Sequence, residues 1–381
     1  MTVSLPRHDD AVALLRSLSG PHGIRASASN HANYAAVFAR DAVMAGIAGL
    51  LTSDAVVTAG LVRTLENLRE LQGSEGQIAS NYRVSRDAPP QVSFGTLVPR
   101  IDAALWYLIG VGLAARDGAV DAEAYRESAR RIVRLLDALE YNGRHLLYIP
   151  VGGNWADEYI YEGYVLHDQV LRAWGLRLAS EVFGEPSWNA KADQIETIIL
   201  ATFWPSGDDR RAYPLAAVSP ARAHDVFDLA TCALLGASGV AAAFAAKSLD
   251  WIDSRFLALG ELPPAFHPVI SEGDADWAAL RRYQLHGFRN RPHEYHNGGV
   301  WMIWLGWLAL ALARTGRRDP LDRLERAVAQ HLSAHPEFAF EEYFHGTTGQ
   351  PAGTAQMAYS ATGVLFIDAS AAVERLSLLA P

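Results

Sequence analysis

The chain has 381 residues, half of them apolar and a fifth charged, with a formal net charge of −9 and a pI near 5.8. That composition suits a soluble globular protein with a large core, and its scattered Lys and Arg exclude a basic surface for nucleic acid or anionic membrane. Cys232 is the single cysteine, which excludes an internal disulfide and a cysteine metal cage; the opening MTVSLPRHDD lacks a basic-then-apolar leader and no apolar run reaches a membrane span, so the cytoplasm is expected.

Along the chain, apolar residues recur at three- and four-residue spacings, as in DAVMAGIAGLL, DAVVTAGLVRTLENLREL and ESARRIVRLLDALE. This is the period of helices. Helices are predicted near 9–19, 40–52, 54–72, 100–115, 122–141, 162–183, 186–204, 224–238, 241–258, 275–286, 297–315 and 320–334, with a last one near 355–376. Ser53-Asp54, Asp121, Pro186 and Asp319-Pro320 punctuate starts, and Gly73, Gly143, Gly184, Gly260 and Gly316 punctuate ends. Strand signals are nearly absent. The links at 73–99, 143–161, 205–223, 259–274, 287–296 and 335–354 are long and most others are short. Short links on one side and long ones on the other predict consecutive helical hairpins closed into a ring, an all-α (α/α)6 toroid occupying 1–381 as one domain. An open solenoid is the alternative, and no fixed-period repeat supports it.

The long links and adjacent helix starts share a composition. NYAAVFARDA (33–42), SEGQIASNYR (74–83), SFGTLVPRIDAALWY (93–107), PVGGNWADEYIYEGY (150–164), RNRPHEYHNGGVW (289–301) and PEFAFEEYFHGTTGQPAG (336–353) each join aromatics to acids, amides, Arg or His. Aromatic faces pack on the apolar faces of sugar rings while carboxylates and amides bind hydroxyls, so the expected partner is a small saccharide. Taken singly, Trp106, Trp155 and Trp301 read equally well as core and the acids as helix caps. A homo-oligomer is left open.

Within these stretches Asp102 stands four residues before Trp106, on one helix face, where ring burial would raise its pKa and the helix dipole would lower it. Behind Trp155, Asp157 and Tyr161 fall one helical turn apart, as do Glu158 and Glu162, if a helix already begins there. They read as hydroxyl ligands and as a rival source of an acid, while Asp168 reads as a buried pair partner. Glu341 and Glu342 are neighbours pointing in different directions; Tyr343 is placed to bond a carboxylate or water, and Gly346 and Gly349 let the loop turn. His293 and His296 lack the i, i+4 geometry of a zinc hydrolase, so no metal is expected, and Tyr295, His296 and Asn297 read as hydroxyl binders. No phosphate-loop or G-x-S-x-G motif is present, and no cofactor is expected.

NYAAVFARDAVMAGIAGLL, RIDAALWYLIGVGLAAR, EYHNGGVWMIWLGWLALAL and EEYFHGTTGQPAG occur in the same order, and with similar wording, as segments of the neutral/alkaline invertase family. The chain resembles that family, which is related in fold to (α/α)6-barrel α-glucosidases and trehalases. The resemblance implies an inverting glycoside hydrolase with Asp102 as general acid and Glu342 as general base; Arg40 and Asp41 would line the glycone pocket. Tyr82, Trp106, Trp155, Asp157, Glu158, Tyr161, Glu162, Tyr295, His296, Asn297, Trp301 and Tyr343 complete the candidate binding set. Inversion needs one protonated carboxyl on the leaving oxygen and one carboxylate on water, roughly 6.5–9.5 Å apart, and links meeting over the centre of a ring supply such a pair. The chain departs from the family in the acidic WADEYIYEGYVLHDQ and in TAQMAYSATG, so an exo-acting hydrolase of an α-glucoside or sucrose-like saccharide is expected without the sugar being specified. Two other classes compete: an (α/α)6 epimerase or polysaccharide lyase using His or Tyr as proton shuttles, with His293, His296 and His345 the foremost candidates, and a non-catalytic carbohydrate-binding scaffold.

Overall fold

The computed structural model describes residues 5–29, 31, 33–85, 87–95, 97–140, 142–204, 211–282 and 287–380. Its helices are α1 (His8–Leu18), α2 (Ala39–Thr52), α3 (Ala55–Glu70), α4 (Asp102–Arg116), α5 (Arg126–Leu139), α6 (Leu166–Phe183) and α7 (Pro186–Thr202), then α8 (Leu229–Ser238), α9 (Ala242–Arg255), α10 (Trp277–Leu280), α11 (Met302–Arg314), α12 (Arg318–Ala334) and α13 (Ala358–Ala369).

Six of these, α2, α4, α6, α8, α11 and α13, are buried over most of their surface and form an inner ring. In α8 every residue is buried, and in α11 every residue from Met302 to Ala313. Such helices need neighbours all round. They find them in one cycle: α2 packs on α4, α4 on α6, α6 on α8, α8 on α11, α11 on α13, and α13 back on α2. The last contact closes the ring and settles the choice between toroid and open solenoid. The outer helices are amphipathic, as in α12, where Leu321, Leu324, Val328 and Leu332 make one buried stripe. Helices α3, α7, α9, α12 and α1 back α2, α6, α8, α11 and α13, and the 3-10 turn Ala122–Tyr125 leading into α5 backs α4. At the α11/α13 crossing a Cβ on Gly306 would lie 2.7 Å from the Gly363 carbonyl oxygen, and one on Gly363 would overlap that of Met302. Only glycines allow this approach.

Each outer helix returns to the next inner helix through a long link, so the long links gather at the N-terminal end of the inner ring. They are joined laterally by short strands: Val37–Phe38 and Gln91–Ser93 flank Asn81–Arg83, and Phe227–Asp228 pairs Phe266–His267. Gly163–Val165 pairs with both Tyr148–Ile149 and Ala217–Val218. At two or three residues these strands are too short to leave a period in the sequence. They also delay helix starts, because α6, α8 and α11 begin at Leu166, Leu229 and Met302 rather than near 162, 224 and 297. The segment expected at 275–286 is helical only over Trp277–Leu280, with 283–286 outside the described residues, and the last helix stops at Ala369 before a 3-10 turn, Val373–Leu379.

Tryptophans fill the ring's axis. Trp106 of α4, Trp174 of α6 and Trp307 of α11 meet with ring centroids 5.9–6.5 Å apart, all fully buried. Below the long links the toroid is therefore a packed core, and any cavity over its centre is blind.

Candidate active site

A cavity of about 460 Å³ opens among the long links, lined by residues of 31–41, 80–81, 93–103, Asp157, Arg289 and Thr354. That size falls in the range of small-ligand sites, about 300–1,000 Å³.

Arg40 and Asp41 sit in the first turn of α2 and Asp102 in that of α4. Arg40 Nη1 donates to Asp102 Oδ2 at 2.5 Å, and its Nε lies 3.9 Å from Asp41 Oδ2. Burial pushes the Asp41 carboxyl up to about 6, with Arg40 opposing and the charges of Asp102 and Glu342 adding to the rise. Asp41 thus senses two carboxylates that are far apart in sequence. Both are inside, Asp102 being 2% and Glu342 5% exposed.

Glu342 precedes the strand Tyr343–Phe344. Its Oε1 accepts from the Tyr34 hydroxyl at 2.8 Å and its Oε2 from the Thr354 backbone N–H at 2.9 Å. Burial, then the Glu342 charge, holds the Tyr34 phenol well above its ordinary pKa, so it remains a donor. Glu341 turns away and accepts from the Ala339 N–H. Of the two adjacent acids, Glu342 is the buried one.

Asp157 comes from the loop before α6. Its Oδ2 accepts from Arg100 Nη2 at 3.0 Å, whereas Oδ1 is buried with no partner. Asn154 shapes this loop: its Oδ1 accepts from the Ala156 N–H, and its Nδ2 donates to Asp168 Oδ2 at 2.9 Å and to the Tyr161 hydroxyl. Asp168 is the buried partner expected of it. Glu158 and Arg289 form a two-pronged ion pair, and Arg289 lies over the Tyr295 ring, 4.1 Å from its centroid. Each cavity-lining arginine, Arg40, Arg100 and Arg289, is therefore matched by a carboxylate.

Other expectations need correcting. Asp157, Glu158, Tyr161 and Glu162 precede α6 and do not share helical turns. Glu158 pairs with Arg289, which itself lines the cavity, and the Glu162 charge reaches Tyr148, an exposed residue. Trp106 does share a face with Asp102, but one turn deeper, in the tryptophan core. Tyr82 is buried with its hydroxyl on the His22 carbonyl, while its neighbours Ser80 and Asn81 line the cavity. Asn297 uses its whole amide on the backbone of Ile270 and Asn290, so it clamps loops. Tyr343 stacks on Trp301, and Tyr34 takes the role foreseen for it at Glu342.

Trp155, Tyr295, His296 and Trp301 pack together as an aromatic layer. Burial, reinforced by Arg289, Arg40 and Arg100, keeps His296 far below its ordinary pKa, so it is a neutral ring. His293 and His345 line a different groove. Among the described residues no group of three or more His, Cys, Asp or Glu is arranged to hold a metal. Tyr34, Arg100, Arg289 and Thr354 were not foreseen as site residues; their signal was position inside links already marked by aromatics and acids.

The ring resembles several solved glycosidases. A GH63 mannosylglycerate hydrolase from Thermus thermophilus superposes with a TM-score of 0.64 at 15% identity, covering 95% of this chain and 99% of that one. A bacterial glucoamylase complexed with acarbose gives 0.66 at 14% identity, over 99% of this chain and 58% of that one. A rhamnosidase from Klebsiella oxytoca with rhamnose bound gives 0.62 at 13% identity, over 96% and 66%. At these identities the likenesses establish the (α/α)6 fold. No curated protein matches the sequence. The family described as alkaline and neutral invertase matches residues 157–369, more than half of the chain and a span that includes Asp157 and Glu342. The chain belongs to the alkaline and neutral invertase family of glycoside hydrolases.

Proposed function

We propose that the protein is an inverting, exo-acting glycoside hydrolase acting on a small neutral α-glycoside, an α-glucoside or a sucrose-like saccharide. The observation that carries this reading is a Glu342 held by the Tyr34 hydroxyl at 2.8 Å together with a cavity-lining Asp157 whose second oxygen has no partner; the charges of both carboxylates raise the pKa values of the Tyr34 and Tyr295 phenols. Each of the three arginines is taken up by a carboxylate, with Asp41 and Glu342 beside them, so none of them awaits an anionic ligand unpaired and a neutral one is suited; the blind floor suits removal of a terminal sugar, and the family's name supports a sucrose-like one.

In this mechanism Glu342 accepts a proton from water as the water oxygen attacks the anomeric carbon. The glycosidic C–O bond breaks on the opposite face, and the departing oxygen takes a proton from the general acid. We assign that acid to Asp157 rather than to Asp102. Both carboxylates meet an arginine through Oδ2, Asp102 from Arg40 at 2.5 Å and Asp157 from Arg100 at 3.0 Å, and the closer pair, beside Asp41, suits Asp102 to binding the hydroxyls of the glycone. Asp157 lines the cavity, and its Oδ1 has no partner in the protein, which leaves this carboxyl free to be protonated.

Leaving-group chemistry tests the assignment, because a glycosyl fluoride departs without protonation. Asp157→Asn is expected to lose about 10²–10⁴-fold on a saccharide and to keep turnover of the matching α-glycosyl fluoride. Glu342→Gln is expected to lose both. Rescue by fluoride in Asp102→Asn instead would return the acid to Asp102, and full activity of Glu342→Gln would remove the hydrolase mechanism altogether.

A further inference from the structure

In the loop that carries Asp157, Asn154 is a buried amide, 3% exposed, that does not line the cavity. Its side chain bridges two parts of the fold. Nδ2 donates to Asp168 Oδ2 at 2.9 Å, and Oδ1 accepts from the Ala156 N–H at 3.1 Å. Asp168 stands in the first turn of α6, an inner helix packed on both α4 and α8, so one end of the bridge is fixed by the ring. The other end is the residue before Asp157.

The anchor is hard to break. Asp168 is fully buried, and His167 Nδ1 is 3.6 Å from its Oδ2, beyond hydrogen-bond reach, so the Asn154 amide is that oxygen's donor. Parting the two would strand a buried carboxyl oxygen and a buried amide. Ala156 is in turn held at both ends, its N–H by Asn154 and its carbonyl by the Tyr159 N–H at 3.1 Å. Arg100 adds a second tie, because it donates to the Gly152 and Asn154 carbonyls as well as to Asp157 Oδ2. The backbone under Asp157 is therefore fixed, while its Oδ1 keeps no partner in the protein.

From this geometry we propose that Asn154, locked by Asp168, is a positioning residue for the general acid: it carries the fixed placement of α6 to Asp157 and so aims the carboxyl at the leaving oxygen without touching the substrate. The proposal rests on the assignment of the acid to Asp157. An acid delivers its proton only from hydrogen-bond reach of the departing oxygen, and a displacement of about 1 Å costs roughly a hundredfold. A leaving group that departs without a proton escapes that loss.

The test compares the full chain with Asn154→Ala and Asn154→Ser on sucrose or trehalose, which need the proton, and on α-glucosyl fluoride, which does not. Serine keeps an oxygen for the Ala156 N–H but loses the Asp168 bond, so it separates the anchor from the local turn and serves should the alanine variant fail to fold. Both variants are expected to lose roughly 10–100-fold in kcat on the saccharide with KM within about threefold, and to keep fluoride turnover within about threefold. Equal losses on both substrates would give Asn154 a merely structural role, and unchanged saccharide turnover in either variant would mean that the loop is set without the Asp168 anchor; each result overturns the proposal. Asp157→Asn run in parallel separates the two claims. Fluoride-selective activity in Asp157→Asn but not in the Asn154 variants removes the positioning role alone, whereas its absence in Asp157→Asn removes the acid assignment with it.

Discussion

The Tyr34 hydroxyl donates a 2.8 Å hydrogen bond to Glu342 Oε1 across 308 positions of sequence. It joins the link before α2 to the link before α13, the first and last inner helices of the ring, so closure of the toroid assembles the proposed base. A hydrogen bond to a charged group is worth about 1.5–3 kcal/mol. Tyr34→Phe is expected to lower kcat by roughly 10–100-fold with little change in KM or unfolding temperature; unchanged kcat would separate Tyr34 from the base.

The other side of Glu342 is set by backbone. Gly353 has φ +86°, and a Cβ there would lie 2.6 Å from Glu342 Oε2, the oxygen held by the Thr354 N–H. Gly353→Ala should cost about 1–3 kcal/mol of backbone strain and displace the carboxylate. Steady-state kinetics should show a larger loss than thermal unfolding, and an active Gly353→Ala would mean the oxygen need not be placed so closely.

Asp41 gives a pH signature with a definite sign. Its carboxyl rises from 3.8 to about 6 on folding, so its contribution to stability is complete below about 3.8 and is lost as pH climbs through 6. The rise corresponds to about 3 kcal/mol. Asp41→Asn should therefore gain stability relative to wild type in urea unfolding at pH 8 compared with pH 4, while losing activity as a cavity-lining group. Parallel pH profiles for the two proteins would contradict the burial of this charge.

The ring itself is tested at the α11/α13 crossing. Gly363→Ala places a methyl against the Met302 carbonyl, and overpacking of this kind costs about 1–3 kcal/mol. A lowered unfolding temperature is expected, and an unchanged one would mean the helices separate freely.

The fold was legible because inner and outer helices leave different marks: MIWLGWLALALA is apolar throughout, whereas RDPLDRLERAVAQHLSA shows one stripe. The alternation of short and long links carried the toroid. What failed has a physical cause. An aromatic beside an acid reads alike whether it faces a sugar or the core, and only the depth along α4 separates Asp102 from Trp106. Asn297 and Tyr82 have side chains suited to hydroxyls, yet buried backbone groups claim them first. Arg100 and Arg289 gain their meaning from partners 57 and 131 positions away, a relation that local pattern does not contain.

Proton NMR of the sugar released in the first moments of turnover, before mutarotation, reads the stereochemistry of bond cleavage directly. With an α-linked substrate chosen from a panel that includes sucrose and trehalose, water activated by Glu342 opposite Asp157 releases the β-anomer first. Initial release of the α-anomer would contradict single displacement by these two carboxylates.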